Sequence, residues 1–349
     1  MKILIVAQKI DRDDENLGFF HRWIEEFAKY YDRVVVIAGF VGKCALPENV
    51  AVYSLGKEKG AGRLKRLWRY WRFFGAHHRS SDAVFFHMIP EFVIASSPFL
   101  LRRRGISALW YVHKSVTRRL CIAERAVDYI FTASELSFRL PSKKAVITGH
   151  AIDTDLFCPA ARGAQKTTRG IFRIVSVGRI SPVKDIETMI LACAVLQNTW
   201  DRPWTFSIIG GPLAPGDEDY LIRLKDLVRE KRLSRRVLFL GPRAYAHIPA
   251  VYRDHDMFIS LSRTGSVDKS VLEAMSAGIS VISSNEAFRA ILPAENFLEN
   301  RDPEALARRI IARADSPPGT HEVLRDIAVK DHGLSKTIKA IVGVLTPRP

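Results

Sequence analysis

The chain has 349 residues, 47% of them hydrophobic, and a formal net charge of +16. Length and apolar content suit two globular domains with sizeable cores and exclude disorder throughout. Four scattered cysteines, Cys44, Cys121, Cys158 and Cys193, lack the paired spacing of metal or redox motifs and read as thiols in a reducing compartment.

Met1 to Ala7 is apolar, too short for a secretory signal, and runs into Lys9, Asp11, Arg12 and Asp13; it reads as a first β-strand. Asn16-Leu-Gly18-Phe-Phe-His21 follows and opens a helix over Arg22–Tyr30. Strand-like runs at Val34–Ala38, Val50–Ser54, Ala83–His87, Ser107–Val112, Tyr129–Thr132 and Ala145–Thr148 then alternate with helical segments. This is the rhythm of a parallel sheet. The apolar stretch Ala83–Leu101 contains His87, Pro90, Glu91 and Pro98, so a transmembrane reading fails there.

Between Lys57 and Arg79 stand eight basic residues against the single acid Glu58. Within this segment Leu64, Leu67, Trp68, Trp71 and Phe74 fall at helical spacing, with Arg63, Lys65, Arg66, Arg69 and Arg72 over the remaining arc and Tyr70 and Phe73 outside the stripe. A basic amphipathic helix rich in Trp and Phe suits an anionic membrane surface; the alternative is a domain helix with a core stripe and solvated arginines. Basic and aromatic residues together also serve nucleic acids, but no recognition motif accompanies them, so nucleic acid is not an expected partner.

After the polar, Gly-containing stretch 157–170, read as an interdomain linker, the alternation restarts at Ile171–Val177. It continues through strands at Phe206–Ile209, Val237–Leu240, Met257–Leu261, Ser280–Ser283 and Phe297-Leu298. A last helix is expected over Leu334–Val344, ending at Pro347. The fold class is α/β: two doubly wound Rossmann-like domains, residues 1–160 and 170–333, with segment 334–349 packing back on the first. Ligands of such sheets bind beyond the carboxyl ends of the strands.

Two motifs lie at such ends. Val175-Ser-Val-Gly178-Arg179 is followed by Lys184, and Thr264-Gly265-Ser266-Val-Asp268-Lys269 leads into Leu272-Glu273-Ala-Met-Ser-Ala-Gly278. Each places an apolar run, then Gly and Ser, then a helix start beside a fixed charge. Unpaired amides and the helix dipole favour an anion there, and Arg or Lys adds charge-assisted hydrogen bonds, so both motifs suit phosphate.

This order of motifs resembles the donor half of family 4 (group 1) retaining glycosyltransferases of the GT-B fold, and the resemblance extends over nearly the whole chain. It implies that Arg179 and Lys184 bind the donor diphosphate beside Gly178, and that Glu273, next to Leu272, binds the ribose hydroxyls. His113, ending a strand in Leu109-Trp-Tyr-Val-His113-Lys114, matches a histidine that the family sets beside the donor sugar; the alternative is a strand-end histidine satisfied by backbone. His87 is a similar candidate on the acceptor side, and Gly18 matches a glycine loop bordering the acceptor. The chain departs from the family at Gly265, where a glutamate is common. Backbone amides of Gly265 to Asp268 are then candidates for the sugar hydroxyls and distal phosphate, with Asp268 and Lys269 as side-chain candidates.

The resemblance implies a cytoplasmic transferase moving a sugar from a nucleotide diphosphate sugar to a saccharide or lipid-linked acceptor in cell-surface glycan synthesis. It would be peripheral on the inner face of the cytoplasmic membrane through 63–74. No cofactor beyond the sugar nucleotide and no metal are expected, since two cations already face the leaving group. Asp153-Thr-Asp155, Asp217-Glu-Asp219 and Asp254-His-Asp256 read as turn or cap acids in place of metal ligands. Two other readings stay open: a sugar-nucleotide epimerase, and a non-catalytic nucleotide-sugar-binding protein.

Overall fold

The computed structural model describes residues 1–101, 105–159, 170–315 and 320–346. Most of the linker expected over 157–170, and Pro347, lie outside the described residues. The chain divides into two compact units, Met1–Asp153 with Ala244–Ala246 and His332–Pro349, and Thr154–Arg243 with His247–Asp331.

In chain order the first unit comprises β1 (Lys2–Ile10), α1 (Phe19–Ala28), β2 (Arg33–Val41), β3 (Val50–Ser54), α2 (Arg63–His77), β4 (Ala83–His87), α3 (Pro90–Leu100), β5 (Ile106–Trp110), α4 (Arg118–Ala126), β6 (Tyr129–Thr132) and β7 (Ala145–Ile147). The strands form one parallel sheet in the order β3-β2-β1-β4-β5-β6-β7. Consecutive residues Ile3 to Ala7 have no solvent exposure, because helices cover both faces. That is why the strand reads as a continuous apolar run and not as an alternation. The stretch Ala83–Leu101 is thereby a buried strand followed by a helix started at Pro90. Among the described residues no helix is long and apolar enough to cross a membrane.

The second unit comprises β8 (Phe172–Val177), α5 (Ile186–Thr199), β9 (Trp204–Ile209), α6 (Asp217–Glu230), β10 (Val237–Gly241), α7 (Ile248–Arg253), β11 (Met257–Ser260), α8 (Lys269–Ser276), β12 (Ser280–Ser283), α9 (Pro303–Ala314) and α10 (Thr320–His332). Its parallel sheet runs β10-β9-β8-β11-β12. The strand expected at Phe297-Leu298 is reduced to an isolated bridge between Ser283 and Phe297, since the chain turns at once toward Asp302, the N-cap of α9. The last helix, α11 (Leu334–Leu345), belongs to the first unit. Its Leu334, Ile338, Ile341 and Leu345 join the core formed by β1 and α1, and Thr337 Oγ1 donates to Thr148 O at 3.0 Å.

On helix α2 the expected stripe is exposed except at Phe74. Tyr70 and Phe74 are the side chains buried on the sheet, with Phe73 against Tyr53 at 5.0 Å between ring centroids and the Tyr70 hydroxyl donating to Phe92 O at 3.0 Å. Leu64, Leu67, Trp68 and Trp71 face solvent, Leu64 at 84% and Trp68 at 59% exposure. The helix is apolar on two arcs, and its sequence cannot say which arc meets the sheet.

Candidate functional site

The strand order of the second unit reverses between β8 and β11, the topological switch point at which open sheets leave a crevice beyond their carboxyl ends. Gly178 ends β8 with φ 148°. Its amide donates to Ile209 O at 2.9 Å, and Ile180 N donates to Gly211 O at 2.9 Å. These bonds press the turn against Gly210, where a Cβ would come within 1.9 Å of Gly178 O. The backbone that presents Arg179 is thereby fixed on a residue type that only glycine can supply. The Arg179 side chain is exposed, and no ion pair joins it to another described residue.

Beyond Arg179 a short turn, Pro182–Lys184, leads to Asp185 in the left-handed region (φ 54°), from which α5 starts. Asp185 is held twice. Arg263 Nη2 meets its Oδ2 at 2.7 Å and Thr188 Oγ1 donates to its Oδ1 at 2.9 Å. Arg263 N also donates to Val183 O at 2.8 Å, so the loop after β11 is tied to the loop after β8. Lys184 Nζ donates to Asp268 Oδ1 at 3.1 Å. Three loops close on that pair. Thr264 Oγ1 reaches Asp268 Oδ1 at 3.3 Å, while Asn285, fully buried after β12, donates from Nδ2 to Asp268 Oδ2 at 3.2 Å and to Ser266 O at 2.8 Å. Gly265 lets the chain turn in this loop with φ 64°. Asp268 is the N-cap of α8 by position, but its carboxylate caps no amide of that helix.

Glu273 lies one turn into α8 and is 4% exposed. It stands beside Tyr252, whose phenol burial and this carboxylate push well above its ordinary pKa. One expectation is corrected here. The Nζ of Lys269 is buried, and that burial, opposed by Glu273, pushes its pKa down to about 7; this amine is turned into the protein and is not presented to a distal phosphate. Leu272 has no exposure, so its side chain packs within the fold. Arg179, Lys184, Gly178, Gly265, Ser266, Asp268 and Glu273 thus share one end of one sheet. Asp185, Arg263, Asn285 and Gly210 were not evident as members of the site: each acts through a neighbour and none carries a motif of its own.

The first-unit candidates lie at the carboxyl ends of β4 and β5 and the start of α1. His113 is exposed, its Nδ1 accepting from Ser115 N at 3.1 Å. It lines a cavity of about 460 Å³ with Glu91, Tyr111, Arg118 and Arg119, in which Arg119 pairs with Glu91 at 2.6 Å. His87 is 3% exposed and packed on Phe20 at 4.0 Å between ring centroids, a mostly buried strand-end position. Gly18 is buried, and a Cβ there would meet Asp14 O at 2.5 Å, so its place in the structure is that of a tight loop.

Of the paired acids, Asp155 and Asp219 are exposed and the other four have structural partners or positions. Asp153 pairs with Arg22 at 2.7 Å, Asp217 accepts from Ala214 N at 2.9 Å, Asp256 accepts from Arg173 N at 2.8 Å, and Asp254 caps the end of α7.

This fold is that of GT-B glycosyltransferases. The structure is similar to HepE of Anabaena in complex with UDP, with a TM-score of 0.77 at 18% identity over 99% of both chains. It is also similar to sucrose-phosphate synthase of Thermosynechococcus elongatus, with a TM-score of 0.75 at 14% identity over 98% of both. Residues 162–328 match the family of glycosyl transferases group 1. Among curated proteins, the D-inositol 3-phosphate glycosyltransferase of Gordonia bronchialis is 31% identical over 152 residues, 42% of this chain and 33% of that protein. The counterpart from Mycolicibacterium smegmatis is 32% identical over 38% of this chain and 30% of its own. The chain therefore aligns with about a third of the length of these relatives. Together the matches show the GT-B fold and, over residues 162–328, similarity to glycosyl transferases group 1.

Proposed function

We propose that the protein transfers a sugar from a nucleotide diphosphate sugar to a saccharide or lipid-linked acceptor, with retention at the anomeric carbon. The observation that carries this reading is the convergence of Arg179, Lys184 and the 264–268 loop on the switch point of the second sheet. As the bond from the anomeric carbon to the diphosphate breaks, negative charge grows on the leaving oxygens. Arg179 and Lys184 stabilise that charge more than the ground state, which is what lowers the barrier. Glu273 accepts hydrogen bonds from the ribose, and the amides of Gly265 to Asp268 serve the sugar and distal phosphate. The reading needs no metal and no cofactor beyond the sugar nucleotide. His113, with Arg118 and Arg119 in the same cavity, lies on the acceptor side. The neighbours crystallised with UDP or UDP-glucose favour a uridine nucleotide as the first donor to try.

The reading extends to an inner-membrane surface in cell-surface glycan synthesis. Its support is α2, where the exposed Leu64, Leu67, Trp68 and Trp71 are flanked by the exposed Lys65 and Arg72. Such a face suits the headgroup boundary of an anionic leaflet. Incubation with UDP-, GDP- and ADP-sugars, with and without saccharide and lipid-linked acceptors, tests the transfer. Release of nucleoside diphosphate that depends on acceptor supports it. Isomerisation of donor alone identifies an epimerase, and donor binding without turnover over the whole panel identifies a binding protein.

A further inference from the structure

Asp268 is an acid placed inside a site otherwise suited to phosphate. Its side chain is only 10% exposed, and its carboxylate is oriented by three donors on three loops: Lys184 at 3.1 Å and Thr264 at 3.3 Å on Oδ1, Asn285 at 3.2 Å on Oδ2. The Asn285 amide is itself oriented, because its Oδ1 accepts from Ala287 N at 3.1 Å while its Nδ2 donates to Ser266 O at 2.8 Å. A carboxylate has about four acceptor positions, so this one retains capacity for a further donor. It also matches the charge of Lys184, leaving Arg179 as the cation of the pair with no ion partner among the described residues.

Resting on the donor-site reading above, we propose that Asp268 is a specificity-determining residue that favours the sugar nucleotide over the spent nucleoside diphosphate. Esterified to a sugar, the terminal phosphate carries one charge and presents sugar hydroxyls, which can donate to the carboxylate. Once the sugar has left, that phosphate gains a second ionisation with a pKa of about 6. The added charge then develops beside a fixed, mostly buried carboxylate, where like charges interact more strongly than in water. The carboxylate thereby adds affinity for the substrate and lowers affinity for the product, which speeds the product's departure.

Titration calorimetry at pH 7.5 with UDP, GDP, ADP and their glucose esters tests this on the wild type, Asp268→Asn and Asp268→Glu. In Asp268→Asn the nucleoside diphosphate should bind about tenfold tighter, with the glucose ester unchanged or weaker. Asp268→Glu, which keeps the carboxylate charge, should retain the wild type's preference for the glucose ester. An equal shift of both ligands in Asp268→Asn, or the same ratio change in Asp268→Glu, makes Asp268 a loop anchor only and overturns the proposal. Failure of the wild type to bind any nucleotide of the panel overturns the donor-site reading itself, and the proposal with it. A circular dichroism melt of each variant confirms that the comparison is between folded proteins.

Discussion

Substituting Gly210 by alanine perturbs the site through backbone alone. The added Cβ would stand 1.9 Å from Gly178 O and 2.7 Å from Gly178 C, and the residue would have to keep φ 136°. Gly178 cannot retreat without lengthening the bonds from its amide to Ile209 O and from Ile180 N to Gly211 O, both 2.9 Å. The strained backbone costs about 1–3 kcal/mol and the overpacking about 1–3 kcal/mol more, so the second unit loses roughly 2–6 kcal/mol. For a domain of this size that lowers Tm by roughly 5–15 °C. Because the displaced turn carries Arg179, nucleotide affinity should fall with it. Gly211→Ala is the control, since a Cβ there meets only Pro242, at 3.7 Å, and should change Tm by less than about 2 °C. Calorimetric melts of both variants, with and without nucleotide, read the outcome. A Gly210→Ala protein with unchanged Tm and nucleotide affinity would refute this reading of the β8 turn.

Lys269 links stability to pH. Its pKa is about 7 in the folded protein against 10.5 ordinarily, so between those values the unfolded chain binds more protons and stability rises with pH. From pH 7 to 9 the wild type should gain up to ~1 kcal/mol per pH unit relative to Lys269→Met, measured as urea midpoints; parallel curves for the two proteins would contradict the burial of this amine. On α2, Arg69 donates to Leu55 O at 3.1 Å and serves the fold, so a membrane test should use the exposed Lys65, Arg72 and Trp68. Lys65→Glu/Arg72→Glu/Trp68→Ala should cosediment at least about tenfold less with anionic vesicles at an unchanged Tm. Equal cosedimentation removes the membrane face.

The fold was legible because both sheets are parallel and buried on two faces, which writes strands as apolar runs such as Ile3–Ala7 or Val34–Ala38. The cations at 179 and 184 were legible because they follow a glycine at a strand end. Asn285 was not: it trails a Ser-rich strand, and its importance comes from carbonyl and carboxylate groups some twenty residues away in sequence. Lys269 read as a ligand contact because periodicity gives a helix start but not the direction in which its first side chain folds. The division of the α2 stripe, with Phe74 buried and Leu64, Leu67, Trp68 and Trp71 exposed, has a related cause. Leu64, Leu67, Trp68 and Trp71 are as apolar as Tyr70 and Phe74, and only the neighbouring helix α3, offering Phe92 O and Ser96 to the Tyr70 hydroxyl, decides which arc is core.

The central claim is that the guanidinium of Arg179 and the ammonium of Lys184 hold the diphosphate of a sugar nucleotide. Its most direct test is calorimetric titration of UDP-, GDP- and ADP-glucose into the wild type and into Arg179→Ala/Lys184→Ala. Loss of two charge-assisted contacts, each worth about 1.5–3 kcal/mol, should weaken binding of the cognate nucleotide by at least about 100-fold, measured below the Tm of the variant. Equal affinity in the two proteins would contradict it.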